Sequence, residues 1–98
     1  MSGLAGDVPG SLKRSLPIGN KRGLHARAAA KFVRTAGQFD AAIRVAFKGQ
    51  EVSGLSIMGL MMLAAGIGSA IELTCSGRQA GEAMVALAAL VEGKFGEE

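Results

Sequence analysis

The apolar residues of this 98-residue chain change their spacing several times along the sequence. They recur at every second position in residues 40–47 and 69–75, which is the period of a strand with one buried face. They recur at every third or fourth position in residues 26–37 and 78–92, which is the period of an amphipathic helix. Each element can bury its apolar face only against the others. The pattern predicts one α+β domain, with helices on one face of a small antiparallel sheet.

The other elements follow from local signals. The first strand is expected within residues 11–18, where Pro17 favours an edge position or an early end. Residues 48–50 predict a tight turn, and residues 51–53 predict a short return strand. Ser56 is the expected N-cap of a short helix. The predicted order is strand, helix, two strands, helix, strand, helix.

No charged residue occurs in the 20 positions between Glu51 and Glu72. A helix of that length could cross a bilayer. Residues 66–69, Gly-Ile-Gly-Ser, interrupt the span and indicate a loop between a helix and a strand. We therefore expect no membrane insertion.

Chain length and cysteine usage limit the organisation further. The length suits one domain, and we expect a flexible extension at residues 1–10, a single domain at 11–95 and an acidic tail at 96–98. The only cysteine, Cys75, excludes an internal disulfide. A chain without disulfides indicates a reducing, cytoplasmic compartment. Cys75 itself is expected to be a small core residue.

The charge and the aromatic content exclude one class of partner. The net charge is +3, and there is no Trp or Tyr and only four Phe. Side chains that could stack on bases are therefore scarce, and nucleic acid is not an expected partner. Most of the positive charge precedes residue 50, which favours docking to acidic proteins.

His25, the only histidine, lies where a loop is expected to become the first helix. If the helix begins at Ala26, His25 is its N-cap, and unpaired backbone N–H groups point toward the imidazole. With Arg27, these donors suit a dianionic group such as phosphate. The positive helix end disfavours imidazolium and leaves a ring nitrogen able to attack. The residues alone leave two readings open: a phosphoryl acceptor, or a capping or surface histidine without chemistry.

Two motifs resemble those of one known family. Residues 20–29, Asn-Lys-Arg-Gly-Leu-His-Ala-Arg-Ala-Ala, resemble the active-site motif of the HPr family, the histidine phosphocarriers of the bacterial phosphoenolpyruvate-dependent phosphotransferase system. Residues 55–63, Leu-Ser-Ile-Met-Gly-Leu-Met-Met-Leu, resemble that family's regulatory segment. The resemblance covers residues 12–93. It implies an open-faced β-sandwich with a four-stranded antiparallel sheet and three helices on one face, in the order βαββαβα.

The resemblance also implies a function. In the family, phosphorylated enzyme I passes its phosphoryl group to Nδ1 of the histidine, and enzyme IIA proteins receive it. A phosphocarrier that is not itself an enzyme is therefore expected, with His25 as acceptor and Arg27 as the phosphate-stabilising donor. No cofactor or metal is expected, and the chain should be a monomer. The expected partner-binding residues are Arg22, Leu55, Met58 and Met61.

Ser56 resembles the serine that HPr kinase/phosphorylase modifies in many family members, and a plain N-cap serine is equally open. Two positions depart from the family pattern: Leu55 replaces a common lysine, and Ala28 replaces a proline that is favoured early in a helix. One alternative function is a regulatory, nitrogen-type HPr-like protein that acts mainly by protein binding through the Ser56 region. Another is an enzyme with His25 as base, but the sequence offers no paired carboxylate or metal-ligand cluster for it.

Overall fold

The computed structural model describes residues 11–97. The extension predicted at residues 1–10 and the last residue of the predicted tail, Glu98, lie outside the described residues. The described elements are β1 (Leu12–Pro17), α1 (Ala26–Ala36), β2 (Ala42–Phe47), β3 (Gln50–Ser53), α2 (Ile57–Met62), β4 (Ala70–Ser76) and α3 (Ala80–Glu92), followed by a turn at Lys94–Gly96. The predicted βαββαβα order is confirmed.

The four strands form one antiparallel sheet in the order β1-β4-β2-β3. Pro17 ends the edge strand β1, as predicted, because proline has no N–H to give to the ladder. The turn between β2 and β3 has positive φ at both Lys48 and Gly49. Positive φ at both residues gives the turn the twist of a two-residue hairpin, so the chain reverses at once and β3 pairs with β2.

One face of the sheet carries the core. Leu73 and Cys75 of β4 are fully buried, and they pack with Phe32 of α1 and Leu87 of α3 in a single apolar cluster. Burial raises the pKa of the Cys75 thiol, in keeping with its predicted role as a small core residue. On the other face of the sheet, Lys13 of β1, Arg44 of β2 and Glu72 of β4 are exposed. The sheet is therefore open on one side.

The uncharged span between Glu51 and Glu72 folds into the end of β3, α2, a turn and the first two residues of β4. Leu60 of α2 is fully buried against the core. Within residues 11–97, no helix has the length and apolarity needed to cross a membrane. The last helix, α3, begins at Ala80, two residues later than predicted, because Gln79 is its N-cap and Gly77 before it has a φ of 106°.

Candidate functional site

His25 is the N-cap of α1, as the sequence predicted. Its backbone is extended (φ −73°, ψ 177°), and the helix begins at Ala26. The carbonyl of His25 accepts a hydrogen bond of 2.9 Å from the N–H of Ala29. The imidazole makes no capping hydrogen bond to the first turn. The first-turn amides, at the positive end of the helix dipole, can therefore receive an anion held beside the ring.

Close backbone packing fixes the loop before His25. Gly23 has a φ of +62°, and a side chain there would overlap the carbonyl oxygen of Ala65 and approach Cα of Gly66 to 2.8 Å. The N–H of Leu24 donates to the same Ala65 oxygen at 3.0 Å. The space beside Gly23 is thus filled by the backbone of the chain that follows α2. Gly23 is thus required for the fold of the loop.

Asn20 joins this loop to the C-terminal segment. Its side chain is fully buried, and its Nδ2 donates to the Gly23 carbonyl at 2.9 Å and to the Glu97 carboxylate at 3.1 Å. Its Oδ1 has no hydrogen-bond partner among residues 11–97. No sequence signal indicates this role for Asn20, because an asparagine in a loop is usually an exposed polar residue.

Cationic side chains surround His25. A cavity of about 260 Å³ is lined by Lys21, Arg22, His25, Arg27 and Glu97. The two arginines and the lysine are exposed, and Arg27 stands in the first turn of α1. Three cations and a helix N-terminus outweigh the one carboxylate, so the cavity attracts anions.

Glu97 contacts His25 directly, and the sequence did not indicate it. Its Oε2 lies 2.7 Å from Nε2 of His25, and both side chains are largely shielded, with 20% and 13% exposed. Desolvation opposes ionisation, but hydrogen bonds from His25 and Asn20 outweigh it and hold the pKa of Glu97 below its ordinary value of 4.5. The expectation that no paired carboxylate accompanies His25 is therefore wrong. The two residues lie 72 positions apart in the chain, so no local pattern reports the pair.

Ser56 caps α2, as predicted. Its Oγ accepts a hydrogen bond of 2.9 Å from the N–H of Gly59. The helix has no acidic residue in its first turn. An anionic group on Ser56 would therefore meet the positive end of α2 without a neighbouring negative charge in that turn.

The residues around Ser56 present an apolar surface. Leu55 is 57% exposed, Met58 67% and Met61 39%. Leu60, between them, is buried in the core. Leu60 thus lies on the side of α2 that faces the core, and Met58 and Met61 lie on the side that faces solvent. We call the exposed part the α2 surface, which consists of Leu55, Ile57, Met58, Met61 and Met62.

The two predicted sites, at His25 and at Ser56, lie at the starts of two different helices, and these helices pack against each other. The cavity at His25 is lined by the loop, the start of α1 and the C-terminal segment, whereas Ser56 lies at the start of α2. The two helices pack against each other, and Leu24 is hydrogen-bonded to Ala65, just after α2. Arg22 and Arg27 therefore share a cavity with His25, and the α2 surface lies on the neighbouring helix.

No three His, Cys, Asp or Glu side chains gather in a metal-binding group within the part of the chain that the structure describes. Within those residues, the cavity offers a histidine, a carboxylate and cationic donors.

Comparisons with known proteins show the family and the fold to which the chain is similar. A family model described as the PTS HPr component phosphorylation site matches residues 12–93. The phosphocarrier protein HPr of Neisseria meningitidis serogroup A is 54% identical, over 88% of this chain and 97% of the relative. The phosphocarrier protein NPr of Shewanella violacea is 44% identical, over 88% and 94%. A crystal structure of HPr-C-His from Thermoanaerobacter tengcongensis superposes with a TM-score of 0.85 at 44% identity, over 89% and 98%.

Proposed function

The chain belongs to the HPr family of phosphocarrier proteins of the phosphotransferase system, and we propose that His25 is the residue on which it carries the phosphoryl group. In this proposal, phosphorylated enzyme I transfers the group to Nδ1 of His25. An enzyme IIA protein then receives it. The protein turns over no small substrate by itself; it is a relay between two partner proteins.

The observation that carries this proposal is the position of His25 at a helix N-cap within a cationic cavity. Phosphoryl transfer depends mainly on positioning and on stabilising the charge spread over the phosphoryl oxygens. The first-turn amides of α1 can donate to those oxygens from one side. Arg27 is the charged donor that we assign to the phosphate, because it stands in that same turn and lines the cavity.

We assign partner docking to Arg22 and to the exposed residues Leu55, Met58 and Met61 of the α2 surface. Flexible, polarisable methionine side chains suit a surface that binds several partners in turn. The cations around His25 would steer acidic partner surfaces toward it. We place the relay in the cytoplasm, since Cys75 is buried and unpaired, as expected in a reducing compartment.

Ser56 is proposed as a regulatory phosphorylation site for an HPr kinase/phosphorylase. A phosphoserine at the N-cap of α2 would be electrostatically tolerated by the helix, so the fold should survive. The added charge would lie beside Leu55 and Met58 and repel an acidic partner. Regulation would therefore act on docking and leave His25 itself unchanged.

A second candidate is a nitrogen-type regulatory protein that acts mainly by binding through the Ser56 region. The 44% identity to NPr places such a type near this chain, but that relative is itself named a phosphocarrier protein. Both printed names and the cavity at His25 therefore favour the phosphocarrier.

The test is incubation of the protein with phosphoenolpyruvate and enzyme I, followed by intact mass measurement before and after acid treatment. One added phosphoryl group that is lost in acid is expected, because phosphohistidine is acid-labile. His25→Ala should gain none while keeping its circular dichroism spectrum. An acid-stable adduct, or an adduct that persists in His25→Ala, would contradict the proposal and direct attention to Ser56.

A further inference from the structure

Three of the chain's five methionines stand in the six-residue helix α2. Met58 is 67% exposed, Met62 71% and Met61 39%. Met84 of α3, by contrast, is only 7% exposed, and Met1 lies outside the described residues. Within residues 11–97, the thioether groups that reach solvent therefore lie on the α2 surface.

The packing of α2 does not depend on these exposed methionines. Leu60 and Leu63 are buried in the core and hold the helix there. Met58 and Met62 have most of their surface in water, where a leucine of similar volume would expose as much apolar area. What a methionine adds at such a position is chemistry, because its thioether can be oxidised to a polar sulfoxide, which reductases convert back.

The one thiol of the chain is protected from the same chemistry. Cys75 is fully buried in the core, and burial raises the pKa of its thiol. Peroxides react with the thiolate, which is scarce at a buried thiol of raised pKa. An oxidant in solution therefore meets the methionines of α2 before it meets Cys75.

We propose that Met58 and Met62, with Met61 reacting more slowly, are an oxidation site through which a peroxide weakens the docking of enzyme I. This inference rests on the proposed docking role of the α2 surface. In the reaction, a sulfur lone pair attacks one oxygen of hydrogen peroxide, the S–O bond forms and the O–O bond breaks. The second oxygen departs as hydroxide and takes the proton of the first, so the products are a sulfoxide and water. The sulfur loses two electrons and the peroxide gains them.

A sulfoxide on the α2 surface changes docking and leaves the phosphoryl acceptor as it is. Its oxygen brings a hydrogen-bond acceptor into an apolar contact, where a polar group without a partner is costly. The described residues that line the cavity around His25 all lie outside α2. Oxidation should therefore raise KM and leave kcat unchanged. Because a sulfoxide is uncharged, its effect should not depend on ionic strength, whereas the effect of a charged group at Ser56 should weaken with added salt.

The test exposes the protein to dilute hydrogen peroxide and locates the added oxygen atoms by tandem mass spectrometry of its peptides. Met58 and Met62 should be oxidised first and Met61 next. Met84 should react last, and Cys75 should stay unmodified. The KM of enzyme I for the oxidised protein should rise by about 10-fold, while kcat changes by less than about twofold. Methionine sulfoxide reductases A and B together should restore the original KM, because each reduces one sulfoxide epimer.

Two variants isolate the thioethers of α2. The α2 variant carries Met58→Leu, Met61→Leu and Met62→Leu, which keep apolar side chains of similar size. Its KM should be the same before and after peroxide, whatever its starting value. Met84→Leu is the matched control, because it removes a buried thioether, and it should keep the full rise in KM.

An unchanged KM after the sulfoxides of α2 have formed would overturn the inference. An equal rise in the α2 variant would also overturn it, as would oxidation of Met84 as fast as Met58. A fall of kcat alone would place the effect at the acceptor and overturn the docking role. Failure of the untreated protein to accept a phosphoryl group would refute the proposed function itself, and with it any effect of oxidation on docking.

Discussion

The carbonyl oxygen of Ala65 occupies the space that a side chain at Gly23 would need. From this position it also accepts the N–H of Leu24, at 3.0 Å. The loop that carries His25 therefore rests on the backbone that follows α2. The geometry of the proposed phosphoryl-accepting site depends on this contact, although Ala65 contributes no side chain to the cavity.

Gly23→Ala should destabilise the protein by about 3 kcal/mol, because the new methyl group combines a positive φ with a backbone overlap. Chemical denaturation should measure the loss. Gly66→Ala is the control: no atom lies within 4 Å of a side chain added there, so its effect should stay within about 0.5 kcal/mol. Equal stability of the two variants would contradict the packing described for the loop.

Arg27→Ala should reduce phosphoryl acceptance from enzyme I by about 100-fold, as expected for the loss of a donor to the transferring group. The side chain is exposed, so the free energy of unfolding should change by less than about 0.5 kcal/mol. Arg34→Ala removes an exposed arginine from the last turn of the same helix and should leave the rate unchanged. Similar rates for both variants would remove Arg27 from the site.

Ser56→Asp should weaken phosphoryl uptake from enzyme I with little loss of stability. The new carboxylate can still accept the N–H of Gly59, but its charge opposes an acidic partner. Ser56→Asn keeps a capping oxygen without the charge and should retain the uptake rate. Ser56→Ala should cost about 1 kcal/mol of stability, measured by thermal unfolding, because the cap is lost. Equal uptake by the Asp and Asn variants would count against regulation at Ser56.

The Glu97 contact should make stability depend on pH at the acid end. Hydrogen bonds from His25 and Asn20 hold the pKa of Glu97 below 4.5. Its contribution is therefore fully present above that value and is lost as the pH falls through the depressed pKa. The Tm of the unchanged protein should exceed that of Glu97→Gln near neutral pH, and the two should converge in acid. A difference that persists in acid, where Glu97 is protonated in both the folded and the unfolded protein, would show that the carboxylate charge is not responsible.

Much of the fold was readable from the sequence because its signals are local. Alternation located β2 and β4, since a strand with one covered face buries every second side chain. Helical spacing located α1 and α3, and Ser56, identified as a cap from its residue type and position, located the start of α2. The start of α3 was misplaced by two residues, because Gly77 and Gln79 arrange the entry in a way that apolar spacing does not report.

Sequence by itself thus determined the α+β class, the order of the elements and the placement of His25 and Arg27 at one helix start. These features depend on residues within one or two helical turns of each other. The tertiary structure alone decided that Glu97 pairs with His25 and that Asn20 is buried and donates to Glu97. It also decided that Gly23 packs against the backbone at Ala65. Each of these contacts joins segments that meet only when the sheet and helices pack, so no periodicity or motif could encode them.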